Sequence, residues 1–189
     1  MKTLEVPVCR IVRHLMPPAP HDDAVKRKLV RRMHPDAVQS WAKLYDEQRL
    51  YPIGPQAYED LCSRESHQLF WAIKPSGKRR VLGMMFCTPI CLLGNRFGVI
   101  HDFIVRRDFQ RQGIAEVLLE SVIAWTREEA HARGTLPIHT LQTCVSLQLT
   151  AATSFVVKHG FHRITQDDDA YYELDILPDA TKRLLPVPL

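Results

Sequence analysis

The stretch VIHDFIVRRDFQRQGIAEVLLE, residues 99–120, decides how the rest of the chain is read. An apolar, strand-like run ends in a charged turn, and the turn passes directly into a helical pattern. Such a junction suits an anion. The first N–H groups of a helix have no acceptor within it, the helix dipole adds partial positive charge at that end, and Gly113 with the small Ala115 lets a ligand approach the main chain closely. Arg111 adds a mobile cation at the rim, so a pyrophosphate is a good match for the pocket.

Working outward toward the C-terminus, Val117, Leu118, Val122, Ile123 and Trp125 recur at three and four, which predicts an amphipathic helix between Gly113 and Arg133, capped by Gly134. A strand is expected from Ile138 to Cys144, then a helix from about Thr150 to His159 ended by Gly160. A final strand or pair falls between Phe161 and Ile176.

Toward the N-terminus, a third strand is expected at Phe97 to Val105. Before it, LFWAI (69–73) and RVLGMMFC (80–87) flank the Gly-containing SGKRR (76–80), the pattern of a β-hairpin. Pro35 can open a helix through AVQSWAKLYDEQ (37–48), and a second short helix is expected at Gln56 to Cys62. The order reads ββαβαβ, which argues a mixed α/β sheet, antiparallel at its start and parallel at its middle.

At 189 residues and 46% apolar, the chain has the size of a single domain spanning 1–189. No apolar run approaches the roughly 20 residues of a membrane span, and residues 1–15 lack a secretory pattern, so no membrane association and a cytoplasmic location are expected. The five cysteines lack CxxC spacing, which fits reduced thiols rather than a disulfide frame or a zinc site, and no metal is expected. The net charge of +4 permits an acidic partner without demanding one. Its densest block, Lys26, Arg27, Lys28, Arg31 and Arg32, reads as a nucleic-acid contact or as a solvated helix face. The second reading is favoured because no aromatic residues are interleaved to stack on bases.

The hexad Gln110-Arg111-Gln112-Gly113-Ile114-Ala115 resembles the Arg/Gln-x-x-Gly-x-Gly/Ala signature of the GNAT acetyltransferases. The strand IHDFIV before it and the later AATSFVVKHGF, ending in Gly160-Phe161, are similar to that family's fourth strand and later helix. The resemblance covers about His67 to Ile176 and is closest to the aralkylamine-type members. It implies the GNAT fold, with residues 1–66 as a helical N-terminal part that shapes the substrate side. It also implies acetyl-CoA (coenzyme A) as cosubstrate. The pantetheine arm would pair with backbone at Phe103, Ile104 and Val105 at a gap between the fourth and fifth strands. Gln110, Arg111, Gln112, Gly113, Ile114 and Ala115 would hold the pyrophosphate, and Ser154 is a further candidate for the cofactor.

The resemblance also supplies a base. His101 occupies the place of a histidine in the aralkylamine members, and histidine is the residue type whose ordinary range suits a base. Asp102 is the second candidate, although successive strand residues face opposite ways. The pattern breaks at the acid, because Val156 stands where many relatives have a tyrosine. Tyr171, Tyr172, Ser154 and Cys144 are possible substitutes. Leu149 also replaces an asparagine common in the family. The expected activity is acetyl transfer to a primary amine of a small molecule or peptide. An acyl-CoA-binding or interaction module with a degenerate site, and an acetyltransferase acting on aminoacyl-tRNA, stay open as alternatives, as does a homodimer.

Overall fold

In the computed structural model, residues 9–14, 68–74, 80–92, 95–130, 137–165 and 169–177 are described. The expected helices at 37–48 and 56–62, the basic block at 26–32 and the Gly134 cap lie outside them.

The described elements are β1 (Arg10–His14), β2 (Gln68–Ile73), β3 (Val81–Leu92), β4 (Asn95–Val105), a 3-10 turn (Arg107–Phe109), α1 (Ile114–Ala130), β5 (Thr140–Ser146), α2 (Thr150–Lys158), β6 (His162–Arg163) and β7 (Asp169–Asp175). The strands form one sheet in the order β1-β2-β3-β4-β5-β7-β6. β4 and β5 run parallel, whereas β1–β2, β5–β7 and β6–β7 are antiparallel. The expected mixed sheet with a parallel middle is therefore present.

Four elements differ from the sequence reading, among them β4, which starts at Asn95 rather than Phe97. β1 falls inside the stretch read as helical and was not anticipated. β3 continues beyond Cys87 through Pro89 to Leu92, and β5 both starts and ends two residues later than expected. Among the described residues, no helix is long and apolar enough to cross a membrane.

Burial explains why these segments adopt their forms. Leu69, Phe70, Trp71 and Ala72 of β2 are all buried, the continuous pattern of a strand covered on both faces. In β5, Leu141, Thr143 and Val145 are buried while Cys144 between them is exposed, the alternation of a strand covered on one face. Ile114, Leu118, Leu119, Val122 and Trp125 form the buried stripe of α1, and Glu120, Arg127 and Glu128 are exposed.

The chain gathers into two compact units. The first holds β1, β2, the start of β3 to Phe86, the end of β4 from Asp102, and α1 as far as Ser121. It packs closely at Gly83, where a Cβ would meet the Ile104 carbonyl oxygen at 3.0 Å and the Ile114 and Val105 side chains at 3.2 Å. A glycine here lets the beginning of α1 seat directly on β3 and β4.

The second unit holds Cys87–His101 and the chain from Val122 onward. Its β5–β7 ladder runs from Thr140↔Asp175 to Ser146↔Asp169. The end of α2 is a Schellman motif: Phe161 N donates to Val156 O at 3.1 Å, Gly160 N donates to Val157 O at 3.1 Å, and Gly160 takes φ 87°. Val156 and Phe161, the two positions that such a motif joins by an apolar contact, are both buried.

Candidate functional site

The site is built from the end of β4. Arg106 N donates to Leu82 O at 2.8 Å, which ties the strand end to β3, and the Arg106 side chain is only 3% exposed. The chain then makes the 3-10 turn, closed by Phe109 N donating to Arg106 O at 2.8 Å and Gln110 N donating to Arg107 O at 3.3 Å. The Arg80 guanidinium stands 5.7 Å from the Phe109 ring centre and braces this turn through a cation–π contact.

Two glutamines hold the following loop against itself. Gln110 Nε2 donates to Val105 O at 3.0 Å, and Gln112 Nε2 donates to Asp108 O at 3.2 Å. Their side chains close the loop, so any role in gripping a ligand falls chiefly to the main chain. Between them, Arg111 has φ 60°, the one described non-glycine residue in the left-handed region, and Gly113 follows with φ 78°. This double reversal turns the loop into the helix.

Val117 N donates to Gly113 O at 3.1 Å as the first bond of α1, so the N–H groups of Ile114 and Ala115 lie ahead of the helical ladder. Ile114, 1% exposed, pins this end of the helix to the floor at Gly83. Arg107 and Arg111 are exposed at the rim, with Asp108 exposed beside them and Glu116 in the helix's first turn. Main-chain N–H donors on a positive helix end, flanked by arginines, are a donor set that fits a diphosphate.

The remaining expected residues divide between the two units. Asp102 and Phe103 are half-buried and belong to the first unit with Ile104, Val105 and the whole of Gln110–Ala115. His101 and Ser154 are exposed and belong to the second. Of the alternative acids, Tyr171 and Cys144 are exposed, whereas Tyr172 is buried at 3% exposure. Val156 is a core residue of the helix cap. Leu149, the N-cap of α2, makes no side-chain capping bond and is 58% exposed.

Sequence reasoning missed the burial of Arg106 and the role of Gly83. Nothing local marks an arginine as buried, but a glycine within an apolar strand is itself a sign of close backbone approach.

Residues 35–161 match the model of the acetyltransferase (GNAT) family. The chain belongs to the GNAT family. As a GNAT chain it has the fold that binds acetyl-CoA, and several solved structures share that fold at low identity. A GNAT-family acetyltransferase from Staphylococcus aureus Mu50 is 15% identical, with TM-score 0.58, over 89% of this chain and 99% of the other. The NatC complex bound to Gag peptide and CoA is 17% identical, with TM-score 0.59, over 88% and 97%. The PaiA N-acetyltransferase from Thermoplasma acidophilum, in complex with coenzyme A, is 13% identical, with TM-score 0.57, over 88% and 99%. No curated protein matches this GNAT sequence.

Proposed function

We propose that this GNAT protein is an N-acetyltransferase that moves the acetyl group of acetyl-CoA to a primary amine of a small molecule or peptide. The observation that carries the reading is the loop from Gln110 to Ala115. Its two left-handed residues and the unladdered N–H groups at the start of α1 make a ready anion cradle, held in shape by its own glutamine side chains.

In this reading the main chain of Gln110, Arg111, Gln112, Gly113, Ile114 and Ala115 grips the diphosphate, and the Arg111 side chain adds charge. Backbone groups of Phe103, Ile104 and Val105 align the pantetheine arm, and Ser154 supplies a further polar contact. Fixing the thioester in this way supplies much of the catalytic advantage, because the amine then meets an oriented acyl carbon. His101 takes the proton of the incoming ammonium directly or through water, with Asp102 as the second candidate. The amine nitrogen bonds to the acyl carbon and sheds its second proton to solvent or to the leaving sulfur, the carbon–sulfur bond breaks, and the sulfur departs as coenzyme A once protonated.

The thiolate's proton has no assigned donor. Val156, the counterpart of the tyrosine in many relatives, is buried in the α2 cap and carries no proton to give. Solvent, or the exposed Tyr171 or Cys144, supplies it in this reading. The same observation favours a second reading, a protein that binds acyl-CoA but turns it over slowly or not at all.

Calorimetry with acetyl-CoA, followed by a thiol-release assay over a panel of amines, tests both. Binding with release on at least one amine supports the transferase. Binding without release on any amine, charged tRNA included, supports the second reading, and absence of binding sinks both.

A further inference from the structure

The hydrogen-bonded register between β4 and β5 covers three pairs, Gly98↔Leu141, Val99↔Gln142 and Ile100↔Thr143. β5 continues beyond it to Ser146, still in register with β7. At the last of the three pairs the Thr143 hydroxyl donates to the Ile100 carbonyl at 3.2 Å. Thr143 is only 7% exposed and lies on the covered face of β5 with Leu141 and Val145. A buried hydroxyl on such a face needs an acceptor, and it has taken a main-chain carbonyl on the neighbouring strand.

The position of that carbonyl gives the bond its consequence. Ile100 is the residue before His101, the base of the proposed reaction. Ile100 is the last β4 residue in register with β5, so the Thr143 hydroxyl adds a tie between the two strands at the point where that ladder stops. The extra donor from Thr143 clamps the main chain of Ile100 at this end.

We propose that Thr143 is a positioning residue, which acts through the Ile100 carbonyl to fix the main chain that carries His101. This rests on the transferase reading, and it assigns Thr143 no contact with substrate. Removing the hydroxyl with its shape kept, Thr143→Val, loosens Ile100 and His101 without touching the diphosphate loop.

The test compares wild type, Thr143→Val and Thr143→Ser as full chains. Calorimetry reads coenzyme A binding, steady-state kinetics read turnover, and amide hydrogen exchange reads residues 100–102. The expected result for valine is exchange at these amides about tenfold faster, kcat about tenfold lower, and coenzyme A affinity within twofold of wild type. Serine, which keeps the hydroxyl, is expected to restore all three. If valine does not accumulate as folded protein, Thr143→Ala reads the same exchange.

Wild-type exchange and wild-type kcat in the valine protein would overturn the proposal, as would a loss that serine does not restore. Failure of the wild type to bind coenzyme A would instead overturn the reading of the site. The exchange comparison would then still decide whether Thr143 clamps Ile100.

Discussion

The side-chain amide of Gln110 donates to the carbonyl of Val105 at 3.0 Å, joining the loop before α1 to the last residue of β4. The bond is exposed, and it spans the whole 3-10 turn. A net contribution of about 1 kcal/mol, ordinary for such a bond, is therefore spent on the shape of the loop. Gln110→Ala is expected to weaken coenzyme A binding about fivefold in calorimetry and to leave the melting temperature nearly unchanged. Wild-type affinity would show that the loop keeps its form without the bond.

Gly113 is placed where a side chain meets both a conformational and an electrostatic objection. Its φ of 78° costs an L-residue about 1 kcal/mol, and a carboxylate there opposes the phosphates. Gly113→Glu is expected to reduce acetyl-CoA affinity by at least about a hundredfold while far-UV circular dichroism stays native. Retained affinity would remove the diphosphate from this loop.

His101 is exposed on β4, and its proposed role as base is tested by pH. His101→Ala is expected to lower turnover mostly at pH values where the wild-type imidazole is neutral and able to accept a proton, with the difference narrowing at low pH and acetyl-CoA still bound. A pH–rate profile that overlays the wild type's would clear His101 of that role.

Gly98 is a packing position of the second unit rather than a site. A Cβ there would lie 2.6 Å from Leu141 Cδ2 and 3.2 Å from Cys87 Sγ, and both neighbours are fully buried. Gly98→Ala is expected to destabilise the protein by about 1–3 kcal/mol in urea unfolding. A stability within error of wild type would mean that Leu141 repacks freely.

The thiols separate by burial. Burial pushes the Cys87 thiol far above its usual range, whereas Cys91 and Cys144 are exposed. Maleimide labelling at neutral pH, mapped by peptide mass, is expected to modify Cys91 and Cys144 in the native protein and Cys87 only after unfolding. Because the folded value is raised, the stability linked to Cys87 is present below the unfolded thiol's range, near about 8.5, and declines as pH rises above it. Rapid labelling of Cys87 in the native state would contradict its place in the core.

What the sequence showed and what it hid follow from the range of the interactions involved. α1 and α2 were legible because their apolar spacing is local and Gly160 marks the cap. The loop was legible because its glycine, polar run and helix start lie within one short stretch. β1 escaped because RIVRH carries arginines at its first and fourth positions and a histidine at its end, and it becomes a strand by pairing Arg10 with Ile73 and His14 with Leu69. β3 runs past its expected end at Cys87 to Leu92, through a proline that local pattern does not favour within a strand. The Thr143 clamp depends on a partner 43 positions away, and Arg106, whose main chain bonds Leu82 O 24 positions before it, is buried with no local sign in the sequence.

Arg111 keeps a left-handed backbone that glycine would adopt without steric strain. A laboratory lineage selected for heat resistance alone would therefore drift toward glycine at this position and surrender the guanidinium along the way. Thermal robustness and charge at the mouth of the loop pull this one codon in opposite directions.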